Sequence, residues 1–237
     1  MEKQKKFLTL NIGSSKIVSM LLAVVTFLIL ASVITQAIRF LLLDPEIHRF
    51  SRFNVDAEGN IPTYFSTMIL LFSAVLLSII ALFKKKESDP YTVHWTVLCL
   101  IFFVMSIDEA AAIHEMSIKP LRSLLGAGGF FYYTWIVVGA IFFVFVLIMF
   151  YKFWLHLPYK TRILFAIATI CYVSGAIVFE GISGFYKDMN KVIDFTYILI
   201  TTVEETFEMI GIVLFIYALL RYLISFYPHI QIHINFR

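Results

Sequence analysis

Seven carboxylates sit in stretches of the chain that are otherwise suited to lipid. Three fall in "SIDEAAAIHE" (106–115): Asp108, Glu109 and Glu115, with His114 beside the last. Glu180 stands alone in "FEGISG", and Glu204, Glu205 and Glu208 share "TTVEETFEMIG". Carboxylates and imidazoles are the groups that ligate cations, relay protons and act as general acids or bases. A ligand set this rich in oxygen favours magnesium, manganese, calcium or a carboxylate-dominated iron pair over zinc. Facing helices that carry such acids build the di-metal sites of helical bundles, commonly with Glu-x-x-His pairs. No such pair occurs here, so the likeness is one of residue type and covers no continuous segment. His48, His94, His114, His156, His229 and His233 are scattered over spans, loops and tail, which excludes a three-histidine zinc site.

Charge in such places is costly. An acid at the middle of a membrane helix costs about 2.5–3.5 kcal/mol, so seven ionised and unpaired acids cost on the order of 15–25 kcal/mol. That exceeds the roughly 5–15 kcal/mol by which folded proteins are stable. Bound cations, shared protons, a water-filled cleft or basic partners must compensate. Arg39, one turn from Gln36 near the end of the first span, is the one clear basic candidate, and a single arginine cannot balance seven acids.

The elements that position these acids follow from composition. Of 237 residues, 60% are hydrophobic and 15% charged, against about 25% charged in an ordinary soluble domain. Several apolar runs exceed the roughly 18 residues that read as a membrane helix. The chain is therefore an all-α, polytopic transmembrane bundle. It forms one integral-membrane domain over 1–237, with six spans at about 17–43, 63–83, 91–117, 131–155, 163–185 and 193–226. The run from Ile17 is too long for a signal sequence, whose apolar core is about 7–15 residues, and reads as a first span.

Lysine and arginine set the expected topology. Lys3, Lys5, Lys6, Lys16, Lys84–Lys86, Lys152, Lys160, Arg162, Arg221 and Arg237 fall on one side. Arg49, Arg52, Lys119, Arg122, Lys187 and Lys191 fall on the other. The richer side carries both termini, which places the N- and C-termini in the cytoplasm. The expected location is the plasma membrane, a bacterial inner membrane. The net charge of +3 is spread among loops and gives no reason to expect nucleic acid.

Depth and facing then bring the acids together. Tyr91 to Asp108, Ile163 to Glu180, and Glu204 to Arg221 are each seventeen residues apart, a rise of roughly 25 Å in a core of about 30 Å. Three helices thus carry acid to one height, in the outer half of the bilayer. Asp108 and Glu115, seven apart, share a face of a straight helix. Ala111 and Ala112 between them leave room for another backbone. On the same logic His114, about 140° from Glu109, points another way. Glu204 and Glu208 share a face with Tyr197, Thr201 and Gly211. Gly184 shares the Glu180 face.

Other features read blandly. Cys99 and Cys171 are small packing residues, neither a disulfide nor a metal pair. Trp95, Trp135, Trp154 and the tyrosines read as interfacial belt residues. "LLGAGGFFYY" reads as a turn into that belt. "PHIQIHINFR" has a strand-like period, with His229 and His233 on a surface tail.

Three functions fit this pattern. The first is a membrane metalloenzyme acting on a lipid or other apolar substrate. Divalent metal would be held by Asp108, Glu115, Glu180, Glu204 and Glu208, with Glu109, His114 and Glu205 as further ligands or general acid/base. The second is a cation- or proton-coupled transporter, for which an inverted repeat and broken helices are missing. The third is a non-catalytic subunit whose acids meet a partner's basic residues. No Ser-His-Asp, Cys-His or phosphate-loop pattern singles out a catalytic residue.

Overall fold

The computed structural model describes residues 13–42 and 52–227. Eight α-helices follow in order: α1 Ser14–Leu42, α2 Ile61–Lys86, α3 Thr92–Ala111, α4 Ile113–Leu125, α5 Trp135–His156, α6 Tyr159–Val173, α7 Glu180–Asn190 and α8 Phe195–Phe226. A short 3₁₀ turn, Gly129–Phe131, precedes α5, and a π-helical turn, Ser174–Phe179, joins α6 to α7. No strand occurs among the described residues. The stretches Ser14–Phe40, Ile61–Lys86, Thr92–Ala111, Trp135–His156, Tyr159–Asn190 and Phe195–Phe226 are long and apolar enough to cross a bilayer. The expected six-span helical membrane bundle is what the chain forms. His48, Arg49, Lys3, Lys5, Lys6, Arg237 and the strand-like tail with His229 and His233 lie outside the described residues.

Three boundaries differ from expectation. The third span ends at Ala111, not near 117, because Ala112 adopts a left-handed conformation (φ 49°). That conformation costs an L-residue roughly 1–2 kcal/mol, and alanine composition gives no hint of it. The fourth span starts at Trp135, not 131, after the 3₁₀ turn. The fifth runs to Asn190 as one path through α6, the π turn and α7.

Local chemistry explains the other starts. Asn60 caps α2, its Oδ1 accepting from the Thr63 amide at 3.2 Å, with Pro62 in the first turn where a missing N–H does no harm. Asp194 caps α8 by accepting from the Tyr197 amide at 2.9 Å. Its carboxyl stays below the usual range because of that amide bond and a bond from Tyr186.

With six crossings, the described chain ends at Gly13 and Tyr227 reach one face, here the terminal face. The 52–60 segment, α4 and the 191–194 turn reach the opposite one, the loop face. The core lies between α2 and α8, where Leu77, Ile80, Ile216 and Leu219 are wholly enclosed. α1 and α6 flank α8, and α3 lies along α2. Lipid offers no hydrophobic drive between helices, so close packing must hold them. A Cβ on Gly175 would stand 2.6 Å from Glu208 Cγ, and one on Gly211 would stand 2.6 Å from the Tyr172 amide nitrogen. Those two glycines let α6 and the π turn lie directly on α8. By contrast α5 packs chiefly on α4 and the π turn, and turns Ile141 and Ile148 outward.

Candidate functional site

A cavity of about 870 Å³ opens between α3, α5, the α6–α7 path and α8. All eight residues expected to share a site, Asp108, Glu109, His114, Glu115, Glu180, Glu204, Glu205 and Glu208, line it. Asp56 and Glu58, from the segment before α2, add two more carboxylates, and Lys187 adds a second basic group beside His114. Nine carboxylates therefore face two basic side chains. Arg39 is not among the wall residues; it donates to Gln36 Oε1 at 3.4 Å and lies over the Phe40 ring.

The break at Ala112 builds one wall. α4 starts one residue later, and Asp108 caps it: Oδ1 accepts from the His114 amide at 2.9 Å. The other oxygen, Oδ2, lies 2.8 Å from His114 Nδ1. Both oxygens of Asp108 are thus spent on His114, whose Nε2 is left for other partners. His114 packs against the Trp135 ring at 5.2 Å. The expectation that His114 points away from the acids fails because it assumed a straight helix. The alanines end α3 rather than opening it to a neighbouring backbone.

The opposite wall is positioned by the π turn and the α8 face. Glu180, the first residue after the π turn, is buried and accepts from Trp135 Nε1 at 2.7 Å. Ser183 donates to Glu204 Oε2 at 2.9 Å. Glu109, Glu205 and Glu208 line the cavity with no side-chain hydrogen bond to another described residue. Tyr197 and Gly211 also line it, as the α8 face predicts, whereas Thr201 is buried beside it and is not a wall residue. Gly184 meets Tyr132 and Tyr133 rather than the cavity.

A hydrogen-bonded chain runs across the loop-face end of the cavity, here its mouth. Lys187 Nζ donates to Tyr133 OH at 3.0 Å, Tyr133 OH donates to Tyr197 OH at 2.7 Å, and Tyr197 OH donates to Asp56 Oδ1 at 3.3 Å. Lys187 Nζ lies 5.3 and 5.4 Å from the two ring centres, within cation–π range. Burial pushes the Asp56 carboxyl up to about 7, against the opposing pull of Lys187 and the Tyr197 bond. Glu58 is also raised, first by withdrawal from water and then by Glu115 and Asp108, with His114 opposing.

Trp95 and Trp135 are not belt residues, whereas Trp154 is exposed near the end of α5 with Arg162 over its ring. Trp95 is 1% exposed and packs in the core against Phe153 and Tyr222, Trp135 holds Glu180, and Trp154 lines the cavity. Sequence reasoning missed Asp56, Glu58, Tyr133, Trp135 and Lys187. The first two sit in a loop of mixed charge with no periodicity, and the others were absorbed into an interfacial pattern.

Among the described residues, no three His, Cys, Asp or Glu side chains stand close enough together to hold one metal ion as they lie. The acids share a chamber, therefore, without forming a closed ligand shell.

A bundle of six apolar helices around an acid-lined chamber defines a multi-pass membrane protein. The chain belongs to a family described as a domain of unknown function, DUF8692, whose model matches residues 17–223. No curated protein and no solved structure matches it.

Proposed function

We propose that this is a membrane-embedded metalloenzyme whose carboxylate cluster holds a divalent cation at the loop-face end of the cavity and acts on a lipid or other apolar substrate. The single observation that carries the reading is the convergence of acids from α3, α4, α7 and α8 on one chamber. Glu109, Glu115, Glu180, Glu204, Glu205 and Glu208, with His114, are the residues that would hold the ion. Glutamates reach through several rotatable bonds, so an ion can draw them in from the separated positions they occupy. The donor set fits an oxygen-preferring cation. Asp108 on Nδ1 of His114 is the arrangement that orients a metal-binding imidazole. When bound, the ion would supply Lewis acidity to polarise a substrate oxygen or acidify a water.

The chain's own groups have definable parts. Asp108 fixes the His114 ring. Trp135 and Ser183 orient Glu180 and Glu204. Tyr133, Tyr197 and Lys187 supply donors at the mouth, and the 52–60 segment covers it. On this reading the loop face is the outer one, the termini are cytoplasmic, and the membrane is the plasma membrane.

Transport is the weaker reading. The buried Lys84 with Glu87 and Asp89, and the packing of Trp95 on Phe153 and Tyr222, lie towards the terminal face. Elemental analysis of protein purified without chelator tests the proposal. At least one metal ion per chain is expected, falling below a tenth in the Glu204→Gln/Glu208→Gln double variant. Metal-free wild-type protein overturns it.

A further inference from the structure

The acids occupy only one end of the cavity. On α3 they are Asp108 and Glu109, and the residues below them on the wall are Met105, Phe102 and Leu98. On α8, Glu204, Glu205 and Glu208 give way to Ile212 and Phe215. On the α6–α7 path, Glu180 gives way to Ile177, Thr169 and Phe165. From Glu180 back to Phe165 is fifteen residues, a drop of roughly 22 Å. The chamber therefore has a charged head and an apolar arm that runs deep into the bilayer.

A second, smaller hollow of about 250 Å³ lies between α3 and α5. Ile101, Phe142, Val146 and Phe150 belong to the walls of both hollows. Val93, Phe145 and Met149, on the far wall of the smaller one, are more than half exposed and so face lipid. At this seam a single layer of side chains separates the arm from the acyl chains of the membrane. Ring contacts of His94 and Trp95 with Phe150 and Phe153 hold the terminal end of the α3–α5 seam, so the wall can part on the loop-face side of Phe150.

Head charge follows from counting. One divalent ion with Lys187 brings three positive charges to nine carboxylates, since an imidazole that holds the ion is neutral. A phosphate or carboxylate headgroup would add to the excess. A hydroxyl, amide or amine would donate to it.

We propose that the apolar arm is an alkyl-chain site, and that its occupant is a single-chain amphiphile, with a donor-bearing headgroup free of negative charge, that enters sideways from the bilayer between α3 and α5. The inference rests on the proposed function above only in placing the reacting headgroup among the acids.

Photolabelling of the full chain in lipid nanodiscs tests it, with hexadecylamine carrying a mid-chain diazirine and the matching hexadecanoate as probes. The amine is expected to label arm residues such as Phe102, Phe143 and Thr169, at least tenfold more than the carboxylate does. Val146→Trp, which plugs the shared wall, should cut arm labelling at least tenfold. Ile148→Trp, on the lipid side of α5, should leave it unchanged. Labelling confined to outward positions such as Ile141, or equal labelling by both probes, overturns the proposal. The wild-type map decides the matter even if a plugged variant does not fold. Running the experiment on protein whose metal content has been measured separates the two readings: arm labelling without metal sinks the metal site alone, and metal without arm labelling sinks the chain site alone.

Discussion

The two ends of the bundle treat charge in opposite ways. At the terminal face, Lys84 is buried and donates to Glu87 at 3.0 Å, with Asp89 at 3.3 Å. Its ammonium lies 5.2 Å from the Phe226 ring centre and 5.9 Å from that of Tyr222. Tyr227 OH donates to Glu87 at 2.8 Å and stacks on Phe83 at 4.4 Å. Lys84 and then Tyr227 hold the Glu87 carboxyl below its usual range. The buried lysine there has both its acids within the chain, and Trp95, Phe153, Phe165 and Tyr222 pack beneath it. At the loop face, acids outnumber bases by nine to two around an open chamber. The buried lysine at one end is neutralised within the chain, whereas the acids around the chamber at the other are in excess of the bases beside them.

Removing charge should therefore have opposite signs at the two ends. Lys84→Met leaves Glu87 and Asp89 without their cation and should destabilise by about 1–2 kcal/mol, less than a fully buried pair because Glu87 is half exposed. Glu204→Gln/Glu208→Gln, measured on metal-free protein, should stabilise by about 1–2 kcal/mol, since it removes charges that nothing in the chain balances. Thermal unfolding in detergent reads both, and a loss of stability in both variants would erase the distinction between the ends.

A steric change sharpens the same contrast. Gly175→Ala forces a Cβ against Glu208 and the Glu204 carbonyl oxygen, the latter at 2.7 Å. Overpacking of this kind costs about 1–3 kcal/mol. It should also lower metal occupancy, because it moves α8, the helix that carries three of the acids.

The smallest expected effect concerns pH. Asp56 is raised from 3.8 to about 7 in the folded protein. The folded state therefore holds its proton more tightly than the unfolded chain. Its contribution to stability is greatest below about pH 4, declines as pH rises, and levels off above about 7. Asp56→Asn should flatten that slope in melting temperatures taken from pH 4 to 8. An unchanged slope would show that the mouth segment does not bury this group.

Much of this organisation could be read from residue order. Six apolar runs give six spans, since a bilayer admits few other ways to satisfy backbone groups. Equal spacings to Asp108, Glu180 and Glu204 point to acids that meet, and all three line one cavity, although the stretch from Ile163 to Glu180 crosses the π turn and does not rise as a regular α-helix. What failed depended on departures from regular winding. The left-handed Ala112 has no compositional signature, so the ending of α3 and the swing of His114 were hidden. Trp135 was misread because an indole at a span boundary has two homes, headgroup or carboxylate. The choice of Glu180 is made by the fold.

The π turn at Ser174–Phe179 carries a consequence of its own. A winding that bonds five residues ahead uses more chain per revolution than an α-helix does. Each residue of slack turns everything downstream by about 100°. The bearing of Glu180, Ser183 and Lys187 is therefore fixed by six small or apolar residues that carry no charge. Shortening that stretch by one would leave composition, length and hydropathy nearly unaltered, yet would aim all three side chains at a different neighbour.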